Sequence, residues 1–246
     1  MAGLDRYVNV LRLFSESRRN WTVPALAEAV GAPTSTLYRT VRELVAAGFL
    51  EPSIEASFRL GPAFVEFDRL VRLTDPLVKE GAEFLPDLVK GSPVACVALL
   101  ARLYGDRVIC AADANQPGVD IRTSYERGRP MPLTRGATSK AILSQLPPRR
   151  LGKLLERDAT QPVPEGDKAS FVAELNSIRR RGYSVTRGEV DEGLVGIAVP
   201  VACPSQAIAA SLSLVIAESD YNATTERGIV MLLVASADML RQRIEG

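Results

Sequence analysis

The stretch Leu26-Ala-Glu-Ala-Val-Gly31-Ala-Pro33-Thr-Ser-Thr-Leu-Tyr38-Arg-Thr-Val-Arg-Glu-Leu44 decides how the chain begins to fold. Val23, Leu26, Ala27 and Val30 recur at helical spacing up to Gly31, and Ala32-Pro33 then turns the chain. Beyond the turn, Leu37, Val41, Leu44 and Val45 form the buried stripe of another helix, for which Thr34 or Ser35 is the expected cap. Thr22 suits the N-cap of the earlier helix, and Pro24 falls in its first turn, where a missing N–H costs nothing. Upstream, Leu4, Tyr7, Val8, Leu11 and Phe14 share one helical face. Two helices joined by a short glycine-containing turn and preceded by a third have helix-turn-helix spacing. Ser35, Thr36, Arg39 and Arg42 lie off the apolar stripe, at or near the half of the helix that enters a major groove in this motif, and Tyr38 stands beside them within reach of a phosphate.

Working outward, Phe49-Leu50-Glu51-Pro52, a polar tip from Ser53 to Ser57, and Phe58-Arg59-Leu60-Gly61 predict a short hairpin, which makes the motif a winged variant. The candidate DNA-contacting set is therefore Thr22, Thr34, Ser35, Thr36, Tyr38, Arg39, Arg42 and Arg59. Residues 1–60 are nearly neutral, but every cation among them is an arginine, whose planar fork matches phosphate or guanine in a way lysine does not. By pattern alone a simple three-helix bundle with a solvated arginine face fits the same residues.

The whole chain of 246 residues, 46% apolar and 24% charged, has ordinary globular composition and room for two domains of unequal size. Its net charge of +1 argues against indiscriminate coating of nucleic acid. It contains no histidine, which removes Ser-His-Asp, Cys-His and histidine-ligated zinc chemistry. The glycine-rich and serine motifs of phosphate binding and acyl transfer are missing as well. Three scattered cysteines, Cys96, Cys110 and Cys203, sit in apolar stretches and suggest core packing, not a disulfide framework. No cofactor and no metal are expected. The longest apolar runs, Val94 to Ala101 and Ile229 to Ala235, fall well short of the roughly 18–20 residues of a membrane span. With no leader-like pattern at the N-terminus, a cytoplasmic protein is expected.

Ala63, Phe64, Phe67, Leu70 and Val71 predict a connecting helix, and Asp75-Pro76 must break it. This divides the chain into a winged helix-turn-helix over 1–61, a linker helix over 62–74 and a larger domain over 75–246. That domain opens with a helix from Leu77 to Leu88 and continues with a hairpin of Val94 to Tyr104 and Val108 to Ala112. Helices follow at about 137–146, 149–156 and 168–182, then strands from Leu194 to Ala202 and Ala207 to Ala217, and a last helix from Thr224 to about Arg243. Elements arranged in such blocks predict an α+β domain with an antiparallel sheet. Pro162 to Gly166 reads as a loop, and Arg179-Arg180-Arg181 as the cationic end of a helix more than as a nucleic-acid patch.

The run from Leu26 to Leu44, with Gly48-Phe49-Leu50 and Phe58-Arg59-Leu60-Gly61-Pro62, resembles the winged helix-turn-helix of the IclR family of bacterial transcriptional regulators. Three later stretches, Gly128 to Leu143, Ile178 to Tyr183 and Glu192 to Val201, resemble the same family's effector-binding domain in the same order. The resemblance implies a GAF-like effector domain, a homo-dimer or tetramer, an operator in double-stranded DNA and a small organic acid as effector. Carried over motif by motif, the pocket falls on Thr123, Ala137, Thr138, Thr186, Leu194, Gly196, Ser213 and Val215. The family's small keto-acid sensors place an acidic residue, a Cys and a Ser where Thr186, Gly196 and Val215 stand here. A roomier, less polar pocket is therefore expected, for a carboxylate with an apolar or aromatic body.

Physical reasoning adds Gly136: the start of a helix there offers unpaired N–H groups to a carboxylate, and small side chains admit it to the backbone. Equally, Gly136 and Ala137 are small if the helix packs closely on the sheet. Arg122, expected on one strand with Thr123, is either a counter-ion or an exposed strand residue. Two other readings stay open: an enzyme using Glu189, Asp191, Glu192 or Lys140, and a DNA-binding protein whose second domain only oligomerises.

Overall fold

The structure, a computed structural model, describes residues 3–118, 121–157 and 167–246, so the loop expected at Pro162 to Gly166 lies outside the described residues. The chain forms two compact units that meet in sequence between Leu73 and Thr74.

The first unit holds α1 (Gly3–Leu11), β1 (Trp21–Thr22), α2 (Val23–Val30), α3 (Thr34–Ala46), β2 (Leu50–Pro52) and β3 (Ser57–Leu60), and α4 (Ala63–Thr74) follows. Val10, Leu26, Ala27, Leu37, Val41 and Leu44 bury the helical stripes against Trp21, Val23 and Leu50. Thr22 caps α2 by accepting from the Ala25 amide at 3.4 Å, and Gly31 ends the helix with φ at 68°, a left-handed conformation that suits glycine. The expected cap of α3 is corrected. Pro33 is its N-cap, no side chain bonds to the helix end, and Thr34 is already helical. The Pro33 carbonyl accepts from the amides of Thr36 and Leu37, because the fixed ring torsion of proline sets the chain to enter a helix directly.

The wing is β2 and β3, but it has a third strand that hydrophobic patterning did not reveal: β1 pairs with β3, setting Trp21 opposite Phe58. Two residues are too short for a period-2 signal, and the tryptophan instead anchors the strand by burial and by donating its indole N–H to the Leu13 carbonyl at 3.2 Å. On α4, Phe64 and Phe67 pack on Phe49, with ring centroids 5.4 and 5.8 Å away. Val65, Leu70, Val71 and Leu73 of the same helix are exposed.

The second unit is built on a six-stranded antiparallel sheet in the order β6-β5-β4-β9-β8-β7. Its strands are β4 (Val97–Tyr104), β5 (Arg107–Asn115), β6 (Pro130–Met131), β7 (Ser184–Arg187), β8 (Leu194–Cys203) and β9 (Ile208–Ala217). One face is covered by α5 (Pro76–Gly91) and α9 (Ala223–Glu245), which bury Leu77, Leu85, Leu88, Ile229, Leu233 and Leu240 on Ile197, Val199, Leu212 and Leu214. The other carries α6 (Ala137–Ser144), α7 (Pro148–Arg157) and α8 (Lys168–Arg181), packed through Ile142, Leu143, Leu151, Leu175 and Ile178.

β6 and β7 are the short edge strands, absent from the expected set. Pro130 in β6 has no N–H to offer a ladder, which confines such a strand to an edge. The alternation of β8 and β9 places Gly196, Ala198, Ser211, Ser213 and Val215 on the α6 side, where they floor the candidate site. No helix of the described residues is long and apolar enough to cross a membrane.

Candidate functional site

Two regions carry the candidate residues, one in each unit. In the first, α3 buries Leu37, Thr40, Val41 and Leu44 and turns Ser35, Tyr38, Arg39 and Arg42 outward. Thr34 is exposed at the first turn and Thr36 half-buried behind it. Tyr38 is 59% exposed, a high value for an aromatic side chain. An open groove of about 520 Å³ runs along this face, lined by Val23, Ser35, Tyr38, Arg39, Arg42 and Phe58. Arg59 on β3 is exposed and pairs with Glu51 across the hairpin at 2.6 Å. Thr22 is drawn away from the set, since its hydroxyl serves the α2 cap. Apart from it, the structure brings the candidate residues onto α3 and the adjacent wing.

In the second unit the N-terminus of α6 points at the loop after β7. Gly136 has φ at 83°, and a Cβ there would lie 2.4 Å from the Tyr125 hydroxyl and 2.8 Å from Val190. Glycine is needed for backbone conformation and for space together. The amides expected to be open to a ligand carboxylate are instead engaged within the chain. Gly136 N–H donates to Glu189 Oε2 at 2.9 Å, and Ala137 N–H to Thr186 Oγ1 at 2.9 Å. The hydroxyls of the helix start are used too: Thr138 bonds Ser213 at 3.0 Å, and Ser139 donates to the Pro132 carbonyl at 2.6 Å. Glu189 thus fills the anion seat at the positive end of the helix dipole. Its other oxygen meets Lys140 at 2.7 Å, and Glu174 meets the same buried ammonium at 2.8 Å.

What remains is a cavity of about 20 Å³, room for about one water, lined by Tyr125, Thr186, Glu189, Val190, Asp191, Leu194, Gly196 and Val215. Thr186, Leu194, Gly196 and Val215 are brought together as expected, with Thr186 opposite Gly196 and Gly196 opposite Val215 in the sheet register. Ala137, Thr138 and Ser213 lie just behind: a Cβ added at Gly196 would lie 3.4 Å from Ala137 Cβ, and the Thr138–Ser213 bond closes the floor.

The cavity is not the roomy one expected, because the loop from Gly188 to Gly193 and the Tyr125 ring fill it. Burial, the largest influence, pushes the Tyr125 phenol pKa up, so it stays a neutral hydroxyl in the pocket wall. Arg122 corrects another expectation. It is exposed in irregular chain between β5 and β6, not on a strand, and it does not line the cavity.

The acidic loop is bonded into the unit through two of its carboxylates. Asp191 accepts from the Thr123 hydroxyl and from the Ser124 amide, each at 2.9 Å, and from the Ser124 hydroxyl. Glu192 is exposed. Asp191 therefore ties the chain before β6 to the loop after β7, and Glu189 ties that loop to α6. Sequence reasoning missed Tyr125 and Val190 because neither belongs to a periodic segment. It met Glu189 and Lys140 only as possible acid or base, and their separation of 49 residues hides the ion pair.

Family models and relatives agree with this architecture. A model described as the IclR helix-turn-helix domain matches residues 3–53, and one described as the bacterial transcriptional regulator IclR C-terminal domain matches residues 77–241. The regulator KipR of Bacillus subtilis is 24% identical, over 78% of this chain and 77% of its own length. The transcriptional repressor IclR of Escherichia coli is 25% identical, over 82% of this chain and 73% of its own. Among solved structures, an IclR-type regulator from a Silicibacter species superposes with a TM-score of 0.84 at 24% identity, covering 99% of this chain and 96% of its own. An IclR homolog from Microbacterium hydrocarbonoxydans, solved with 4-hydroxybenzoate, gives a TM-score of 0.75 at 21% identity, covering 98% of each chain.

Proposed function

Since this chain belongs to the IclR family of bacterial transcriptional regulators, we propose that it reads an operator through α3 and the wing, and that a small organic acid bound in the second unit switches that reading. Members of the family are transcriptional regulators, not enzymes, and the carboxylates once open to an acid–base role are spent on structure: Glu189 on Lys140 and α6, Asp191 on Thr123 and Ser124. The observation that carries the proposal is the outward row Ser35, Tyr38, Arg39 and Arg42 on a helix whose opposite face is fully committed to the core. Its N-terminal half enters the major groove, Arg39 and Arg42 meet base edges or phosphates, Tyr38 and Arg59 meet the backbone, and Thr34, Ser35 and Thr36 stand at the groove entrance.

A homo-dimer, or a pair of dimers, would present two such helices to half-sites one helical turn apart. The exposed Val65, Leu70, Val71 and Leu73 of α4 support self-association, because several exposed apolar side chains around one helix need a cover. The place of action is the cytoplasm, where the DNA is. The effector we infer is a carboxylate with an apolar or aromatic body. In support, Tyr125, Val190, Leu194 and Val215 line the cavity, and a structural relative was solved with an aromatic acid. A cavity the size of a water cannot hold such a molecule. Entry requires the loop from Gly188 to Gly193 to move, with the ligand's carboxylate taking over the Gly136 amide from Glu189. This displacement supplies the differential interaction that any ligand switch requires.

The test is selection of bound fragments from sheared genomic DNA, followed by affinities of Arg39→Ala and Arg42→Ala for the selected site. An arginine that reads a base should cost on the order of 1–3 kcal/mol, about 5- to 150-fold, and relax the preference at one position. An arginine that holds phosphate should weaken all sequences alike. Unchanged affinity in both variants would take α3 out of the interface.

A further inference from the structure

Arg39 does not stand alone on α3. Its Nε donates to Glu43 Oε1 at 2.9 Å, one helical turn along, and the other Glu43 oxygen accepts a hydrogen bond from the Tyr7 hydroxyl of α1. Tyr7 is itself flanked by Arg6, whose guanidinium donates to the phenol oxygen at 3.3 Å and lies 5.1 Å from the ring centre. An isolated exposed pair between neighbours on a helix contributes little to stability. This one differs because the carboxylate is fixed from outside the helix, by a side chain 36 residues away. The tyrosine hydrogen bond and then the Arg39 bond hold the Glu43 carboxyl below its ordinary pKa, so it stays ionised. The pair also uses only the Nε edge of the guanidinium. Its two terminal nitrogens make no hydrogen bond among the described residues, and Arg39 keeps 71% of its side chain exposed.

The geometry points to Glu43, held by Tyr7, as a positioning residue that aims the free end of the Arg39 fork and thereby sets sequence specificity. The inference rests on the reading of α3 as the DNA-contacting helix. A bidentate guanine contact needs the two terminal N–H groups in one plane at one angle, and a guanidinium swinging on a free stem meets phosphate as readily as base. A carboxylate beside DNA repels phosphate, so Glu43 weakens contact with every sequence while sharpening contact with the right one. Arg42 and Tyr38 have no such restraint among the described hydrogen bonds, which leaves Arg39 as the residue whose direction the protein dictates.

The experiment measures affinity of the full chain for its selected operator and for a scrambled duplex, in wild type, Glu43→Gln, Tyr7→Phe, Arg39→Ala and the Glu43→Gln/Arg39→Ala double variant, with thermal midpoints for each. Glu43→Gln is expected to bind scrambled DNA about 2- to 5-fold more tightly and to lose at least 10-fold in the ratio of operator to scrambled affinity. Tyr7→Phe, which leaves the charge in place, should lower the ratio without the gain on scrambled DNA. In the Arg39→Ala background, Glu43→Gln should lower the ratio no further. If Glu43→Gln and Tyr7→Phe lower the midpoint and leave the ratio intact, the cluster only joins α1 to α3 and the inference fails. If Arg39→Ala leaves operator affinity unchanged, the reading of Arg39 as a DNA contact fails first, a result the other variants do not mimic.

Discussion

At the scale of single residues, Gly136 and Gly182 make a matched pair. Both hold positive φ, 83° and 84°, but Gly182, with ψ at −1°, sits in the left-handed helical region that an L side chain enters at a cost of about 1–2 kcal/mol, whereas Gly136, with ψ at 148°, sits close to a region essentially reserved for glycine. They differ in what surrounds them as well: a Cβ at Gly182 meets nothing within 4 Å, whereas one at Gly136 meets the Tyr125 hydroxyl and Val190 far inside contact distance. Gly182→Ala should therefore cost about 1 kcal/mol. Gly136→Ala should cost about 3 kcal/mol or more, because the Tyr125 ring or the loop from Gly188 to Gly193 must shift as well. Denaturant unfolding of the two variants checks the difference, and equal losses would mean that neither the backbone at Gly136 nor the cavity wall resists a side chain. A yielding wall would also tell us that effector entry is easy, so the measurement bears on function. From sequence both glycines read as helix boundaries. Only the three-dimensional neighbours, Tyr125 and Val190, separate a plain cap from a position where backbone, ring and loop converge.

At the scale of elements, the cationic end of α8 shows how far a local rule reaches. Arg179-Arg180-Arg181 was expected to complement the carbonyl end of its own helix, but Arg179 donates instead to the Ser144 and Leu146 carbonyls that end α6. Arg181 turns to the Tyr183 carbonyl and ring. The charge does meet unpaired carbonyls, though those of a helix more than 30 residues earlier, which no local window contains. Arg179→Ala should cost about 1–2 kcal/mol through the lost charge-assisted bonds, and Arg180→Ala less than about 0.5 kcal/mol, as chemical denaturation would show. Similar costs for both would mean that net charge, not the α6 contact, sets the contribution.

The same distinction explains what was legible in the sequence. Helices α1 to α9, the long strands β4, β5, β8 and β9 and the wing hairpin announce themselves through period and punctuation, and each stands within a few residues of its expected place. β1, β6 and β7 have two to four residues and earn their pairing from a neighbour. The candidate site was legible on α3, where one helix face carries it. In the second unit Thr186, Leu194, Gly196 and Val215 were placed by motif, while Tyr125 and the role of Glu189 depend on loops folding back.

At the scale of the molecule, each unit has its own buried clusters. One gathers Val10, Trp21, Leu26, Leu37 and Leu44, and the others lie on the two faces of the six-stranded sheet beyond residue 74. Every residue around the cavity, and every hydrogen bond that closes it, belongs to the second unit. Such a unit, with its own sheet and helices on both faces, should fold as a fragment of residues 74–246 and keep the whole effector response. The fragment and the full chain are expected to show the same thermal stabilisation against a panel of aromatic and aliphatic carboxylates. A ligand at 100 times its dissociation constant contributes about 2.7 kcal/mol if it binds only the folded state. Aromatic or long-bodied acids should give the shift and two- or three-carbon acids should not, because Tyr125, Val190, Leu194 and Val215 reward apolar contact. A panel in which only glyoxylate or pyruvate stabilises would overturn the apolar-bodied effector. No shift in either chain would favour an assembly role for the sheet domain. Glu189→Gln separates competition from simple structural support, because it removes the charge that holds the Gly136 amide and half of the acidic shell around Lys140. If ligand and Glu189 compete for that amide, the variant should be less stable alone yet show a larger ligand-induced shift. A smaller shift would mean that Glu189 builds the site and does not guard it.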